Sequence, residues 1–424
     1  MKTDTPAFSR YQKWVMALLA LTQFSVVLDF MVMSPLGDML MKDMKISPRQ
    51  FGLVVSAYAF SAGASGLLTA GFADRFDRKK LLLFFYTGFI AGTFFCGVAG
   101  TYHWLVIARI FTGIFGGVIG SISLAIVTDL FSMQQRGRVM GLIQMGFGAS
   151  QVLGIPISLF IANYYGWEAP FFLVVGIAIC VALGILTIMQ PVDKHLALQG
   201  AHTNPVQHLL NTVAKRDYRI GFTATALLAI GGFMMMPFSS AFAVNNLKVS
   251  THDLPALFMI SGVTSLVVMP ILGRLSDKFD RFKIFAIAAL YMSVVIVLYT
   301  HLTPKPLWFV MGFNVLMMAG ILGRMVPASA IVTAVPGPAD RGAFMSINSS
   351  LQQIAGGIAA MIGGLIVYRQ SEVSPLEHYD VLGYVVAGIT LLSIYLIGRV
   401  DKMIKKRLPA DDTTQPVIEE HQPA

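Results

Sequence analysis

The sequence predicts an all-α polytopic membrane protein whose twelve transmembrane helices form two pseudo-symmetric six-helix bundles. The composition is the first observation behind this fold class: the 424 residues are 55% hydrophobic and 12% charged, with a mean hydropathy of +0.69. Soluble domains carry roughly a quarter charged residues. The second observation is that long apolar runs alternate with short charged segments along the chain. The third is a charged segment that occurs twice.

The repeated segment reads Asp-Arg-Phe-Asp-Arg-Lys-Lys at 74–80 and Asp-Lys-Phe-Asp-Arg-Phe-Lys at 277–283. Each copy lies between two apolar runs, and its charges would be costly inside lipid. We therefore expect each copy to be a short loop between helices. Because both loops should face the same side, the two halves are related as parallel repeats.

The individual spans follow from the need for about 20 mostly apolar residues to cross a bilayer. Twelve runs meet this requirement, at 14–37, 50–72, 81–100, 104–130, 139–163, 169–190, 220–244, 254–273, 283–301, 307–334, 343–368 and 380–399. The domains predicted from them are an N-terminus (1–13), a bundle (14–190), a cytoplasmic linker (191–218), a second bundle (219–400) and a disordered tail (401–424).

The basic residues indicate the orientation of these spans. Most of the 31 Lys and Arg residues fall in alternate loops, on the side that also holds both termini. The positive-inside rule therefore predicts that both termini are cytoplasmic, in an inner (plasma) membrane. The bilayer also explains the net charge of +9 better than a nucleic-acid partner does.

Two motifs match a known family. Asp74, Arg75, Arg78 and Lys79 fit a loop signature, and Arg109 is followed by a helical stretch containing Gly113, Gly116 and Gly117. With the twelve paired spans, the chain resembles the major facilitator superfamily, and within it the drug and sugar efflux branch of drug:proton antiporters. Asp77 replaces the central glycine of the loop signature. An antiporter signature on the fifth span is imperfect, so the transport direction stays open.

Asp29 and Arg109 are the candidate residues for proton and substrate coupling. They lie at similar depths in the first and fourth spans, where each buried charge is costly. The resemblance implies that both spans line a central cavity in which the two side chains meet. Asp29 would then take up and release a proton, and Arg109 would set its affinity. The alternatives are a static ion pair that orients two helices and an Asp29 that points outward.

The charged loops supply a candidate cytoplasmic gate. The resemblance implies that Asp129 pairs with Arg78 and that Asp74 binds the start of the eleventh helix, whose N–H groups are unpaired. This contact would favour the outward-open state. The alternative is that these charges only follow the positive-inside rule. The candidate gate residues are Asp74, Arg75, Arg78, Asp129, Asp277, Arg281 and Arg341.

Other polar or deformable side chains are candidates for lining the cavity: Gln23, Asn314, Asn348, Gln352 and Met235. The polar ones serve equally well as hydrogen-bonding contacts between helices, and ordinary packing explains the methionine. Arg324 has no acidic partner visible in its half of the sequence. An anionic substrate group, a lipid phosphate and a helix end remain open as its partner.

The function predicted from these features is secondary active transport of a small drug-like, sugar-like or metabolite molecule, by alternating access and proton-coupled efflux. An importer or facilitator of the same fold is the alternative. A polytopic enzyme fits less well, because the eight histidines do not form a catalytic cluster along the sequence. We expect a monomer that works without a cofactor or metal, with protons, the substrate and the bilayer as its partners.

Overall fold

The computed structural model describes residues 8–69, 73–193, 196, 205–337, 340–371 and 374–407. Within these ranges, twelve helices are long and apolar enough to cross a membrane, which confirms the predicted fold class. They are α1 (Arg10–Val32), α2 (Pro48–Thr69), α3 (Arg78–Gly97), α4 (Tyr102–Leu130), α5 (Gln134–Tyr165), α6 (Ala169–Ile188), α7 (Arg216–Asn246), α8 (Leu254–Lys278), α9 (Arg281–Thr300), α10 (Leu307–Val332), α11 (Arg341–Ile366) and α12 (Tyr379–Lys406).

The helix contacts repeat between the two halves. In the first half α1 packs on α5 and α6, α4 packs on α2 and α3, and α3 packs on α6. In the second half α7 packs on α11 and α12, α10 packs on α8 and α9, and α9 packs on α12. The halves meet along α2 with α11 and along α5 with α8, which are themselves equivalent pairs. The two bundles are therefore pseudo-symmetric.

An even number of spans places both ends of the helical bundle on one face, which we call the terminal face. The other side is the opposite face. Two apolar cores fill the bundles. The larger core includes Leu19, Phe51 and Phe89 in the first half and continues to Phe242 in the second half. The smaller core lies at the terminal-face end of the second half and includes Phe344.

Helix α1 is shorter than predicted, because it ends at Val32 rather than at residue 37. Pro35 follows in a turn, and the residue before a proline is disfavoured in a helix. The chain then forms a short helix, Gly37–Asp43, which lies on the opposite face before α2 begins. This placement gives Asp38 a position between the two bundles.

Two other spans are irregular next to prolines. In α5 the residues Ser150–Gly154 form a π-helical turn just before Pro156. Helix α7 is α-helical only to Phe233, continues through the 3₁₀ turn Met236–Phe238 around Pro237, and ends in a π-helical turn. A proline has no N–H to donate to the preceding turn, which accounts for both irregularities.

The repeated charged segment forms a helix start in both halves. Asp77 accepts hydrogen bonds from the backbone N–H groups of Lys79 (2.7 Å) and Lys80 (3.2 Å) at the start of α3. Asp280 accepts one from the N–H of Lys283 (3.0 Å) at the start of α9. The second aspartate of each copy is therefore a helix N-cap.

Two predicted boundaries differ from the structure. The final helix runs to Arg407, beyond the predicted start of a disordered tail at 401. Lys405 stabilises this extension by pairing with Asp401 (2.7 Å) and Asp280 (2.6 Å). The predicted linker contains a helix, Pro205–Ala214, which packs on α11 and α7. Residues 194–195, 197–204 and 408–424 lie outside the described residues.

Candidate functional site

Asp29 and Arg109 form an ion pair in the interior of the first bundle. Arg109 Nη1 donates to Asp29 Oδ2 at 2.9 Å, and both side chains are at most 1% exposed. Thr93 on α3 donates its hydroxyl to the other carboxylate oxygen at 3.1 Å. The ring of Tyr58 on α2 lies 4.5 Å from the Arg109 guanidinium carbon. Four helices thus contribute to one charged site.

Close helix contacts hold these side chains together. A Cβ on Gly113 of α4 would lie 2.5 Å from the carbonyl oxygen of Tyr58, so only glycine permits this approach of α4 to α2. A Cβ on Gly92 of α3 would lie 2.8 Å from the Cα of Thr112 on α4. Residue 92 precedes Thr93, so this second contact positions the Thr93 hydroxyl near Asp29.

The chemistry of the site is that of a protonatable acid beside a permanent cation. Asp29 has hydrogen bonds to both carboxylate oxygens, whereas Arg109 Nε is buried without a partner within the described residues. A proton that binds Asp29 would remove the negative charge that compensates Arg109. Among the described residues no group of three or more His, Cys, Asp or Glu side chains is arranged to hold a metal ion.

A cleft lies between the two bundles beside this site. It is narrow, with a cavity volume of about 20 Å³, so its walls lie close together. Its lining is mostly apolar, with Ser34 and Gln353 as the polar side chains: Phe30, Met33, Ser34, Val55, Ala59, Phe233, Met236, Pro237, Gln353, Gly356 and Ala360. Met236 and Pro237 belong to the irregular part of α7, and Phe233 directly precedes it.

Asp29 and Arg109 meet as expected, but the pair does not itself line this cleft, so its place in a central cavity stays a prediction. Aromatic rings lie between the ion pair and the cleft. The ring of Phe30, next to Asp29, lies 5.4 Å from the ring of Tyr58 and 6.0 Å from that of Phe233. The side chain of Asp29 points into the first bundle while that of its neighbour faces the cleft, as expected for adjacent residues of a helix.

The predicted cavity residues are not among those that line this cleft. Gln23, Asn314, Asn348, Gln352 and Met235 are partly or fully buried, and none of them lines the cleft. Asn314 donates to the carbonyl of its own helix at 3.2 Å. In two cases the neighbouring residue lines the cleft instead: Gln353 and Met236. The assignment of the five predicted residues to a substrate cavity stays a prediction.

On the terminal face, one predicted contact is present. Arg78 Nε lies 3.3 Å from Asp129 Oδ2, and the Arg78 side chain is buried. Arg78 also donates to the carbonyl of Ala73 at 3.1 Å, which fixes the loop before α3. Its equivalent in the second half, Arg281, donates to the carbonyl of Ser276 at 3.4 Å. Arg78 and Arg281 therefore both donate to the backbone five residues earlier, in the loop before α3 and in the last turns of α8 respectively.

The other predicted gate residues are placed differently. Arg75, Asp277 and Arg341 are exposed, and Asp277 belongs to the last turn of α8 rather than to a loop. The side chain of Asp74 lies outside the described residues, so its contact with the start of α11 stays a prediction.

The sequence reasoning missed a polar cluster at the start of α11. Asp340 accepts hydrogen bonds from Lys215 (2.5 Å) and from the hydroxyl of Tyr218 (2.7 Å). The hydrogen bond to Asp340 raises the pKa of Lys215. These contacts join the end of the linker to the second bundle. The sequence contained one signal for this cluster: the oppositely charged Lys215 and Asp340 directly precede α7 and α11.

Arg324 is buried in the second bundle. Its Nη1 donates to Thr390 of α12 at 2.5 Å, its Nε has no partner among the described residues, and Gly231 of α7 is close by. No ion pair of Arg324 with a carboxylate occurs in the part of the chain that the structure describes. Arg109, the buried arginine of the first bundle, by contrast pairs with Asp29.

Comparison with known proteins identifies the family. The family model described as Major Facilitator Superfamily matches residues 19–321 and 221–422. An uncharacterized MFS-type transporter of Bacillus subtilis, YceJ, is 23% identical over 91% of this chain and 96% of its own length. A protein named probable sugar efflux transporter from Helicobacter pylori (strain G27) is 21% identical over 93% of this chain and 98% of its own.

Solved structures show the same fold. An inward-facing bacterial homologue of the human lysosomal transporter Spinster superposes with a TM-score of 0.71 at 17% identity, covering 94% of this chain and 97% of the other. A D-xylose–proton symporter superposes with a TM-score of 0.73 at 17% identity, covering 91% and 97%. With its paired six-helix bundles and its match to the family model, the chain belongs to the Major Facilitator Superfamily and is a multi-pass membrane transporter of small molecules.

Proposed function

We propose that this protein is a proton-coupled exporter in which the Asp29–Arg109 pair carries the coupling. The supporting observation is that a protonatable carboxylate and a permanent cation lie 2.9 Å apart in a membrane interior, where unpaired charge is costly. A pair that only oriented two helices could be replaced by apolar residues without loss. The names of the Helicobacter relatives, which specify efflux, support the direction.

Proton uptake at Asp29 neutralises the carboxylate and leaves Arg109 held mainly by the Tyr58 ring. The attraction between α1 and α4 weakens, and Phe30, next to Asp29, transmits the change to the cleft. The bundles, 14–190 and 219–400, then rock about the shared seams of α2 with α11 and α5 with α8. Release of the proton on the other side of the membrane resets the pair.

The cleft lining supports a largely apolar substrate with a few polar groups. Phe30 and Phe233 offer aromatic faces, Met33 and Met236 are deformable, and Ser34 and Gln353 supply hydrogen bonds. A free sugar would leave most of its hydroxyl groups without partners against such walls. We therefore place drug-like amphipathic molecules ahead of sugars, although several relatives are named as sugar efflux transporters.

The proposal includes a monomer with both termini cytoplasmic in a bacterial-type inner membrane. Lys and Arg residues near the terminal face support this orientation through the positive-inside rule. The Arg78–Asp129 contact within the first bundle and the linker cluster on the second bundle would then lie on the cytoplasmic side.

The test is transport by purified protein in proteoliposomes under an imposed pH gradient, with dyes, antibiotics and sugars as substrates. We expect gradient-driven export of an amphipathic dye. Asp29→Asn should keep dye exchange at equal concentrations but lose the response to the gradient. Asp43→Asn, which removes an exposed carboxylate, is the matched control. Unchanged gradient dependence in the Asp29 variant would exclude the assignment, and uptake along the same gradient would favour an importer.

A further inference from the structure

A second buried carboxylate lies on the opposite face, between the two bundles. Asp38 belongs to the short helix Gly37–Asp43 and is 2% exposed. Its Oδ1 accepts a hydrogen bond from the Asn245 side chain at 2.6 Å, and Arg369 Nη1 lies 3.9 Å from the same oxygen. Its Oδ2 is 2.7 Å from Lys42 Nζ. We call these four residues the Asp38 cluster.

The Asp38 cluster joins the two halves of the molecule. Asp38 and Lys42 belong to the first half, between α1 and α2. Asn245 ends α7, and Arg369 follows α11, so both belong to the second half. The side chains of Asp38 and Arg369 are only 3% and 4% exposed, so their charges are shielded from water at this junction.

Backbone contacts around the cluster keep the two halves in register. Ser240 donates to the carbonyl of Ser34 at 2.7 Å, and Ser34 donates to the carbonyl of Met236. A Cβ on Gly37 would lie 2.9 Å from the carbonyl oxygen of Pro237, so the start of the short helix Gly37–Asp43 and the break in α7 are in close backbone contact. The short helix Gly37–Asp43, which carries Asp38, therefore packs against the irregular part of α7.

We propose that Asp38 is a positioning residue for transport: it holds the opposite face closed by binding Asn245 and Arg369 of the other bundle. Separation of the bundles breaks these contacts, and the buried charges must then be hydrated. Closure is favoured to the extent that these contacts outweigh the hydration that the charges gain on opening. Removal of Asp38 would instead take the carboxylate away from buried Arg369 in the closed state, which is costly and favours opening. The inference rests on the alternating-access part of the proposed function, but not on proton coupling.

Lys42 makes this closure reversible. It pairs with Asp38 from one turn along the same helix, so the pair persists when the bundles separate. Asp38 therefore exchanges Asn245 and Arg369 for water while it keeps one cationic partner. The free energy of opening is then limited to the contacts that cross the interface between the bundles. A transporter must open on each cycle, so this free energy has to stay small.

The test measures the distance between the bundles on the opposite face. Nitroxide labels are placed at His103, at the start of α4, and at Lys305, before α10, because both side chains are exposed and belong to different halves. The native cysteines Cys96 and Cys180 are first replaced by alanine. Double electron–electron resonance in lipid nanodiscs then gives the ratio of long to short distances, with no proton gradient or substrate needed.

We expect Asp38→Ala to raise the long-to-short ratio by at least about tenfold. Asn245→Ala should raise it in the same direction, and the double variant should exceed the larger single effect by less than twofold, because both changes break one contact. Asp43→Ala removes the exposed carboxylate of the same helix and should leave the ratio unchanged.

Equal ratios in the parent, Asp38→Ala and Asn245→Ala proteins would overturn the proposal. If Asp38→Ala does not fold, Asn245→Ala decides alone, because its change lies in the other bundle and removes no charge. Failure of the Asp29 transport test would count against proton coupling and leave this result intact. Unchanged distances alongside normal coupling would reject the Asp38 assignment alone.

Discussion

Removal of Asp29 and removal of Arg109 should destabilise the protein with different pH dependences. Each variant leaves one charged group without its partner inside the first bundle, where both side chains are at most 1% exposed. An unpaired carboxyl can take up a proton and become neutral. An arginine stays charged at any pH at which the protein is folded. The comparison is between Arg109→Met and Asp29→Asn.

The magnitude follows from the pair geometry. At an effective dielectric constant of about 20, the attraction across the 2.9 Å contact is about 6 kcal/mol, and loss of one partner of a buried pair typically costs about 3–5 kcal/mol. In Arg109→Met, protonation of a carboxyl with an ordinary pKa costs about 4 kcal/mol at pH 7. This cost is the upper limit on the stability that the variant loses from its unpaired carboxylate. Deprotonation of the arginine would cost about 8 kcal/mol, so Asp29→Asn keeps a buried cation. The Tyr58 ring offsets at most about 2 kcal/mol of this penalty.

The sign with pH follows from proton counting. In Arg109→Met, protonation of the unpaired carboxyl becomes less costly as pH falls, by about 1.4 kcal/mol per unit. Wherever the folded variant binds this proton and the unfolded chain does not, its stability rises as pH falls, by at most about 3 kcal/mol between pH 7 and pH 5. In Asp29→Asn no group at the pair titrates in this range, so its loss of stability should stay constant.

The assay is unfolding in mixed micelles at pH 5, 6 and 7, with each variant compared with the parent protein at the same pH. Arg49→Met, an exposed arginine, serves as the control for loss of one positive charge. A loss of stability in Arg109→Met that does not change between pH 7 and pH 5 would refute the reasoning. So would a loss below about 1 kcal/mol in both variants.

Three further predictions concern packing and charge elsewhere. Gly117→Val should lower the yield of folded protein and cost about 1–3 kcal/mol or more, because a Cβ there would lie 2.5 Å from α2 backbone atoms. Gly120→Val, with no described atom within 4 Å of its Cβ, should behave normally in the same thermal assay. Lys215→Ala should speed limited proteolysis of the linker, because its contact to Asp340 is lost. In the parent this contact should persist as pH rises, because the hydrogen bond to Asp340 raises the pKa of Lys215 above that of a free lysine. Arg324→Met should leave thermal stability unchanged or higher, unlike Arg109→Met, because no carboxylate loses a partner.

The presence of each helix followed from the sequence, because a chain segment inside lipid has few alternatives to helical structure. Each apolar run must satisfy its backbone hydrogen bonds internally, so a run of about 20 residues becomes a helix. The repeat of Asp77 in Asp280 then indicated matched halves, and both residues are helix N-caps in the structure. Helix ends were less predictable near prolines, as the early end of α1 before Pro35 shows.

The candidate site was only partly accessible to sequence reasoning. Asp29 and Arg109 were singled out because charge inside a span is rare and their depths agree, and the family resemblance implied that their two spans are neighbours. The residues that complete the site, Thr93 and Tyr58, carry no comparable signal, since a threonine or tyrosine in a span is usually packing or a local hydrogen bond. Their roles depend on how closely α2 and α3 approach α4, which the glycine contacts decide.

The sequence by itself determined the class of protein, the number of spans, the internal repeat and the two members of a deeply buried ion pair, Asp29 and Arg109. These features depend on composition and periodicity, which lipid constrains strongly. Only the tertiary structure decided that the pair lies behind the cleft, that Gln353 rather than Gln352 lines it, and that Asp38 meets Asn245 across the bundles. Those facts depend on helix rotation and on contacts between residues about 200 positions apart, and a single sequence does not encode either of them locally.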